Sequence, residues 1–264
     1  MSDQRQGRFN EAIGRFDQAN ALDPNRTVFE GREYPKELLY AQRMTQWLER
    51  LEPDAAEPLR LAARCQHIRR WEIPRSSFPQ DRAGYLNWRK TLYQFHADRA
   101  GEILRNVGYD SATIQRVQSL LKKEKLKADP EMQTLEDVIC LVFLENYFSD
   151  FAREKDEQKV TGIIKRTWAK MSDRGHAMAL AQIRFSEPDI ALIRKALEPP
   201  AVSNVATGGF EAVESKHLTA HGALKFKLCR AAAQADQGRL IDPAATLKKI
   251  DKQRKKRAAR SHSL

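Results

Sequence analysis

The segment QHIRRWEIPR, residues Gln66–Arg75, decides the fold because a dense polar cluster follows directly on an apolar helical stretch. The residues just before it, from Leu59 to Cys65, are mostly apolar or small. A helix of this composition is expected to run through the protein interior. Polar groups delivered to the interior need partners, because burying them alone is unfavourable. We therefore expect this helix to bring its polar end to a pocket.

The same helical periodicity extends outward from this segment in both directions. Apolar residues recur at spacings of three and four through most of the first 198 residues, a pattern typical of packed amphipathic helices. One strand-like stretch, Thr27 to Tyr34, has Gly31 at the turn of a small hairpin. The sequence thus predicts an all-α, single compact multi-helix domain over residues 1–198. Its helices are expected near 8–22, 36–51, 55–70, 82–106, 111–123, 134–153, 157–170, 173–182 and 188–197.

Capping residues mark several of these helix starts. Asp110 precedes Ser111 and is suited to accept a hydrogen bond from the first turn. Thr134 is followed three residues later by Asp137, the spacing of a capping box. We therefore interpret Asp137 as a helix cap and not as a catalytic residue.

The composition indicates a cytoplasmic protein. The three cysteines are scattered, with no CxxC or Cys/His array, so neither a disulfide framework nor structural zinc is predicted. The polar amino terminus has no signal peptide, and the longest apolar run, Val138–Leu144, is too short to span a bilayer. No membrane partner is expected.

The basic charge belongs mainly to the carboxyl-terminal tail, residues 199–264. It contains 13 Lys and Arg against 5 Asp and Glu, so it holds +8 of the net charge of +11. Pro199 and Pro200 end the last predicted helix, and a glycine-rich stretch typical of a flexible linker follows. Two interpretations stay open: the tail contacts RNA, DNA or ribosomes non-specifically, or it is an inert solubilising extension. Truncation after Leu197 would separate them.

Arginines, a tryptophan and neighbouring polar groups make the opening segment a candidate anion-binding site. Arginine holds phosphate or carboxylate in a planar fork, and an adjacent aromatic ring grips an apolar moiety. In the alternative interpretation, the same charges neutralise one another and pin an irregular loop. The predicted substrate-binding residues are Tyr40, Arg43, Gln66, Arg70, Trp71, Arg75 and Arg82.

Several segments closely resemble a bacterial and fungal family known as domain of unknown function 4202. They are RLAARCQHIRRWEIPR (60–75), DRAGYLNWR (81–89), FHADRAGEIL (95–104) and LEDVICLVFLENYF (135–148). The resemblance extends from about residue 8 to about residue 198 and leaves the tail outside. It implies a domain boundary near residue 198 and the importance of the opening segment, but it carries no activity.

A second resemblance is to metal-dependent phosphohydrolases of the HD superfamily. The stretches YAQRM (40–44), AARCQHI (62–68), HADRAGEILRNVGYDSATIQRV (96–117) and LEDVICLVFLE (135–145) are similar, in order and spacing, to the helices that carry the metal ligands. This resemblance implies an HD-like helical arrangement. The ligands themselves differ: Tyr40 replaces a histidine, Gln66 and His67 replace the His-Asp pair, and Leu144 or Glu145 replaces the final aspartate.

The predicted catalytic residues are His67, His96 and Glu145. The HD resemblance implies a divalent metal on His67 and His96, and the sequence identifies no other cofactor. Without a metal, His67 is suited to act as a general acid or base while the arginines bind an anionic substrate. The leading hypothesis is an intracellular domain that binds a phosphorylated small molecule or nucleotide, with a divergent HD-like phosphohydrolase as its enzymatic form. The competing hypothesis is a non-enzymatic interaction protein whose basic tail contacts nucleic acid or ribosomes.

Overall fold

Amphipathic periodicity becomes α-helix through most of residues 2–124 and 128–198, which a computed structural model of the protein describes. The predictions made for the basic tail, including its flexibility, lie outside these described residues. The α-helices are α1 Ser2–Ala21, α2 Lys36–Leu51, α3 Glu57–Arg64, α4 Arg82–Val107, α5 Ser111–Lys122, α6 Pro130–Asn146, α7 Phe148–Glu154, α8 Glu157–Lys170, α9 Asp173–Gln182 and α10 Glu187–Leu197. The all-α prediction is confirmed.

The small hairpin is also confirmed. Strands β1, Arg26–Phe29, and β2, Arg32–Pro35, pair antiparallel around a turn at Glu30 and Gly31. Both turn residues have positive φ, 49° and 73°, as a tight two-residue hairpin requires. No other strand occurs within residues 2–124 and 128–198.

The helix predicted over 55–70 is shorter than expected. α3 ends at Arg64, and the chain then turns through Arg69, which has a left-handed backbone with φ of 52°. Asn20, which is fully buried, accepts a hydrogen bond from the Arg69 amide at 3.0 Å. A short 3₁₀ turn at Arg70–Glu72 follows. The polar cluster therefore lies on irregular backbone after the helix, because a distant side chain stabilises the turn.

The described chain falls into two units. Among the described residues, the first comprises those up to 148 with 170–175, and the second comprises 149–169 with 176–198. In the first unit α2 packs on α3 and α6, and α4 packs on α5. Its largest fully buried side chains include Phe16, Met44, Trp47, Leu59, Leu61 and Leu104. In the second unit Trp168 stacks on His176 with ring centroids 4.3 Å apart.

Asp137 has a different role from the predicted capping box. The N-cap of α6 is Asp129, which accepts from the Glu131 and Met132 amides, so Asp137 lies two turns inside the helix and is buried. Its carboxylate accepts hydrogen bonds from the Ser172 amide at 2.7 Å and from Gln133 Nε2 at 3.1 Å. Asp137 therefore fixes a remote segment at the start of α9. The Asp110 prediction is confirmed, since its side chain caps α5 through Thr113.

The loop between α3 and α4 is pinned by side-chain contacts to its backbone. Arg75 donates to the carbonyls of Phe78 at 3.0 Å and Asp81 at 3.3 Å. At Gly84, a Cβ atom would lie 2.1 Å from the carbonyl oxygen of Pro79, so only glycine fits without a shift. These contacts hold the loop close to the beginning of α4.

None of the helices in residues 2–124 and 128–198 is both long and apolar enough to cross a membrane. The HD-like arrangement and the domain boundary at residue 198 stay predictions.

Candidate functional site

His67 is the centre of the candidate site. Its ring stacks on that of Tyr40, with centroids 4.1 Å apart and an interplanar angle of 11°. Its Nδ1 lies 3.2 Å from Oε2 of Glu37, which is in the first turn of α2. Because ring stacking and the carboxylate fix the imidazole on two sides, its orientation is set before any ligand arrives. About 23% of the side chain stays exposed.

Arg70 adds a positive charge to this cluster. Its Nε lies 4.0 Å from Oε1 of Glu37, so both oxygens of one carboxylate are shared between His67 and Arg70. The guanidinium carbon lies 4.7 Å from the ring centroid of Trp88, a cation–π contact. The Trp88 indole is held in turn by donation to the Ile73 carbonyl at 2.9 Å. Arg70 is half-buried and held in place from two directions.

His96 lies behind His67 in the protein interior. The two ring centroids are 5.8 Å apart, and only 2% of His96 is exposed. Nδ1 of His96 lies 2.9 Å from the carbonyl oxygen of Ile68, and Ile68 is the residue immediately after His67. Nε2 is buried and has no hydrogen-bond partner among the described residues. Two imidazoles predicted from the sequence are therefore brought together.

A second group of cations lies near these histidines. Lys123 forms an ion pair with Glu136, whose side chain is 3% exposed, and Arg89 donates to the Tyr93 hydroxyl. Lys123 is the residue that ends α5, and its own backbone is left-handed, with φ of 58°. The Lys123 ammonium also lies 5.6 Å from the Tyr93 ring centroid.

Burial and this positive surrounding control the protonation of the histidines. Burial lowers the pKa of His67 well below its ordinary value, and the charges of Arg70, Lys123, Arg89 and Lys36 lower it further. Burial likewise lowers the pKa of His96 to about 3. Both imidazoles are therefore neutral at pH 7.

Burial raises the pKa of Glu37, and the positive charge of Arg70 opposes that rise. Arg70 accordingly favours the ionised form of Glu37. That carboxylate accepts a hydrogen bond from Nδ1 of the neutral His67. That arrangement leaves Nε2 of His67 as the basic nitrogen.

Arg43 forms the outer edge of the site. Its guanidinium carbon lies 4.8 Å from the ring centroid of Phe29 and 5.4 Å from that of Tyr147. The Tyr147 ring is in turn 6.3 Å from that of Tyr40. A continuous series of rings and cations thus connects the hairpin to His67.

Glu145 does not join the two histidines. Its Oε2 accepts from the Trp47 indole at 2.7 Å, and its Oε1 lies 3.5 Å from Arg50. Trp47 follows Tyr40 by seven residues on α2, which is about 10 Å along a helix axis. The HD resemblance implied that Glu145 converges with the histidines. The helices α2 and α6 do pack together, but their contact places Glu145 farther along α2.

The remaining predicted residues have separate positions. Gln66 is 4% exposed, and its buried Oε1 has no partner in the described part of the chain. Trp71 is half-buried in the 3₁₀ turn, and Arg82 is exposed at the start of α4. Arg75 is engaged by loop carbonyls. For Arg75 these contacts match the structural interpretation, whereas Arg70 faces the histidines.

The side chains around His67 do not fit the divalent metal that the HD resemblance implied. No group of three or more His, Cys, Asp or Glu side chains that could hold a metal occurs among residues 2–124 and 128–198. The nearest charged neighbours of the two histidines include several cations, which oppose a further positive ion.

Sequence reasoning missed Glu37, Lys123 and Glu136. Glu37 was detectable in part, because it precedes Tyr40 by three residues and therefore lies on the same helix face. Arg89 likewise precedes His96 by seven residues. No local signal identified Lys123, whose position depends on the left-handed end of α5.

Two surface cavities lie elsewhere in the first unit. One, of about 360 Å³, is lined by residues of α1, α2 and α3, among them Phe9, Leu48 and Arg60. The other, of about 250 Å³, is lined by polar groups that include Arg5, Arg8 and Glu57. Neither is lined by His67 or Arg70.

The fold and site define an all-helical protein with a buried histidine–arginine cluster. The sequence model of the family described as domain of unknown function (DUF4202) matches residues 10–193, more than two thirds of the chain. The chain belongs to this family, and the resemblance found in the sequence is confirmed. No curated protein matches the chain, and no solved structure does.

Proposed function

We propose that the first unit binds a phosphorylated small molecule or nucleotide at His67. The excess of cations around a neutral imidazole is the observation that carries this proposal. Arg70, Lys123, Arg89 and Lys36 all act on His67, whereas the buried carboxylates in the same region are Asp23, Glu37 and Glu136. A cluster with this charge balance attracts an anion.

Arg70 is the residue best placed to contact the phosphate. It is half-buried, stacked on Trp88 and fixed by Glu37, so little side-chain entropy is lost when it binds. A guanidinium so fixed offers several N–H donors in a rigid plane, which suits phosphate oxygens. Lys123 and Arg89, whose charges also act on His67, add long-range attraction for an anion.

Hydrolysis of a phosphate ester is the reaction that His67 is suited to support. In this step a water oxygen forms a bond to phosphorus while the ester P–O bond breaks. Nε2 of His67 takes the proton from the attacking water and then returns one to the leaving oxygen. Glu37 would hold the imidazole in the required tautomer through Nδ1.

The proposal is tested by measuring thermal unfolding of the full chain with a panel of phosphate esters and nucleotides. A ligand that binds only the native state raises the unfolding temperature. For the best compound, we expect Arg70→Met to weaken binding by about ten- to a hundred-fold, the effect of removing one charged hydrogen bond. Arg15→Met is the matched control, because Arg15 is exposed and pairs only along α1 with Glu11. Its affinity should equal that of the wild type.

Phosphate release separates binding from hydrolysis. If the site hydrolyses its ligand, His67→Gln should abolish release while circular dichroism shows an intact fold. Binding without release in the wild type would limit the function to recognition. An absence of stabilisation by every phosphorylated compound would refute the proposal.

A further inference from the structure

We infer that the surface cavity between α1, α2 and α3 binds a small amphipathic carboxylate, with the apolar part in the cavity and the carboxylate on Arg60. The cavity has a volume of about 360 Å³, which is in the range of small-molecule binding sites. It is lined by neither His67 nor Arg70. The site is therefore separate from the proposed phosphate site and does not rest on the proposed function.

The apolar surface of the cavity comes from two helices. Phe9 and Ile13 line it from α1 and are half-buried, and Leu48 lines it from α2 and is 2% exposed. Moving an apolar group from water onto such a surface is favourable. The cavity therefore favours a ligand with an alkyl chain or an aromatic ring.

Gly14 leaves the cavity open. It lines the cavity from the interior of α1, and a Cβ atom at this position would meet no other part of the described chain within 4 Å. Glycine inside a helix is less stable than alanine. Because no packing contact excludes a larger residue here, the space beside Gly14 is free for a ligand.

Arg60 supplies the positive charge. Its guanidinium carbon lies 4.6 Å from the ring centroid of Phe9, and the residue is half-buried. No carboxylate within the described ranges forms an ion pair with it. The Phe9 ring thus holds the guanidinium beside the apolar surface, where its N–H donors suit a carboxylate.

The charges of the cavity favour a singly charged, negative head group. Glu49 lines the same cavity and is exposed. Its negative charge opposes a phosphate dianion more than a carboxylate. An ammonium group would have to bind Glu49, whose exposed side chain loses more entropy on binding than a guanidinium that Phe9 already holds. A carboxylate on Arg60 is therefore the head group that the cavity fits.

The experiment is an NMR titration of the ¹⁵N-labelled full chain with 4-phenylbutyrate and two relatives of the same size. 4-Phenylbutanamide keeps the ring without the charge, and 4-phenylbutylamine reverses the charge. We expect the carboxylate to bind about tenfold more tightly than the amide, the effect of one hydrogen bond between charged groups. The amine should bind most weakly. The side-chain amide signals of Asn10, which lines the cavity, should shift on binding.

Two variants test the position of the ligand. In Arg60→Met the carboxylate and the amide should bind equally, whereas Arg15→Met, on an exposed residue of α1, should keep the tenfold difference. Gly14→Leu should fill the cavity and abolish binding of both compounds. Gly7→Leu is its control, because a side chain there also has open space but Gly7 does not line the cavity. This control should bind as the wild type does.

Equal affinities of the carboxylate and the amide in the wild type, or unchanged binding in Gly14→Leu, would overturn the inference. Tightest binding of the amine would do the same. So would a dimer in sedimentation velocity that Gly14→Leu dissociates, since the cavity would then receive a second copy of the chain. If Gly14→Leu fails to fold, intermolecular NOEs in the wild type decide. We expect them between the ring protons of 4-phenylbutyrate and the methyl groups of Ile13 and Leu48, and their absence at saturation would contradict the inference.

Discussion

Acid should destabilise this protein through His96, by an amount that its environment sets. The pKa of His96 is about 3 in the folded protein, against an ordinary value of 6.5. Below pH 6.5 His96 is therefore protonated in the unfolded chain but stays neutral in the folded protein. The free energy of unfolding falls as the pH falls. At pH 5, which is 1.5 units below the ordinary value, the loss is about 2 kcal/mol. At pH 7 almost none of it is present.

Urea unfolding at pH 7 and pH 5 measures this loss in the wild type and in His96→Gln. Glutamine keeps an N–H donor for the Ile68 carbonyl and does not titrate. Acidification also destabilises the fold through His67, whose pKa is lowered by burial. It stabilises the fold through Glu37, whose pKa burial raises. His67 and Glu37 titrate in the wild type and in the variant alike. Their contributions therefore largely cancel when the stability change of the variant is subtracted from that of the wild type. The wild type should lose about 2 kcal/mol more than the variant, and equal losses would refute the reasoning.

Two further predictions concern the framework around the site, and both are measured by urea unfolding at pH 7. Asp137→Asn replaces an acceptor of several hydrogen bonds with an amide whose NH₂ faces donors, and it should cost about 1–3 kcal/mol. Asp150→Asn, on an exposed side chain, should cost under about 1 kcal/mol, and similar losses for the two would contradict the structural role of Asp137. Gly84→Ala places a Cβ against the Pro79 carbonyl and should destabilise by about 1–3 kcal/mol. Gly14→Ala, where the space is open within α1, should instead stabilise by about 0.5–1 kcal/mol, and a stable Gly84→Ala variant would show that the loop can move.

Local signals account for the parts of the fold that sequence predicted well. The range 36–51 was predicted as a helix and α2 has those bounds, because its apolar spacing is regular and Pro35 precedes it. Gly31 identified the hairpin turn, and Asp110 identified the start of α5. In each case the deciding interaction lies within a few residues of the signal.

Remote contacts account for the errors. α3 was predicted to continue to residue 70, but the buried Asn20 holds Arg69 in a left-handed conformation from 49 residues away. The Thr134–Asp137 spacing suggested a capping box, yet Asp137 pairs with Ser172 in a distant segment. Neither partner can be chosen from local sequence, because both pairings form only when the helices pack.

In the site, too, some residues were predicted correctly and others depend on remote contacts. His67 and His96 were both predicted, and their rings lie together because α4 packs against the turn that follows α3. Glu145 was placed with them and instead contacts Trp47. Glu37, the carboxylate that does contact His67, was not recognised, although its spacing of three residues from Tyr40 places both on one helix face.

A crystal structure with the most strongly stabilising phosphate ester would show whether a phosphorylated ligand binds at His67 and Arg70. We expect a phosphate within hydrogen-bonding distance of the Arg70 guanidinium, next to the ring of His67. A phosphate held instead by Arg5 and Arg8 in the polar surface cavity, with His67 and Arg70 uncontacted, would contradict it.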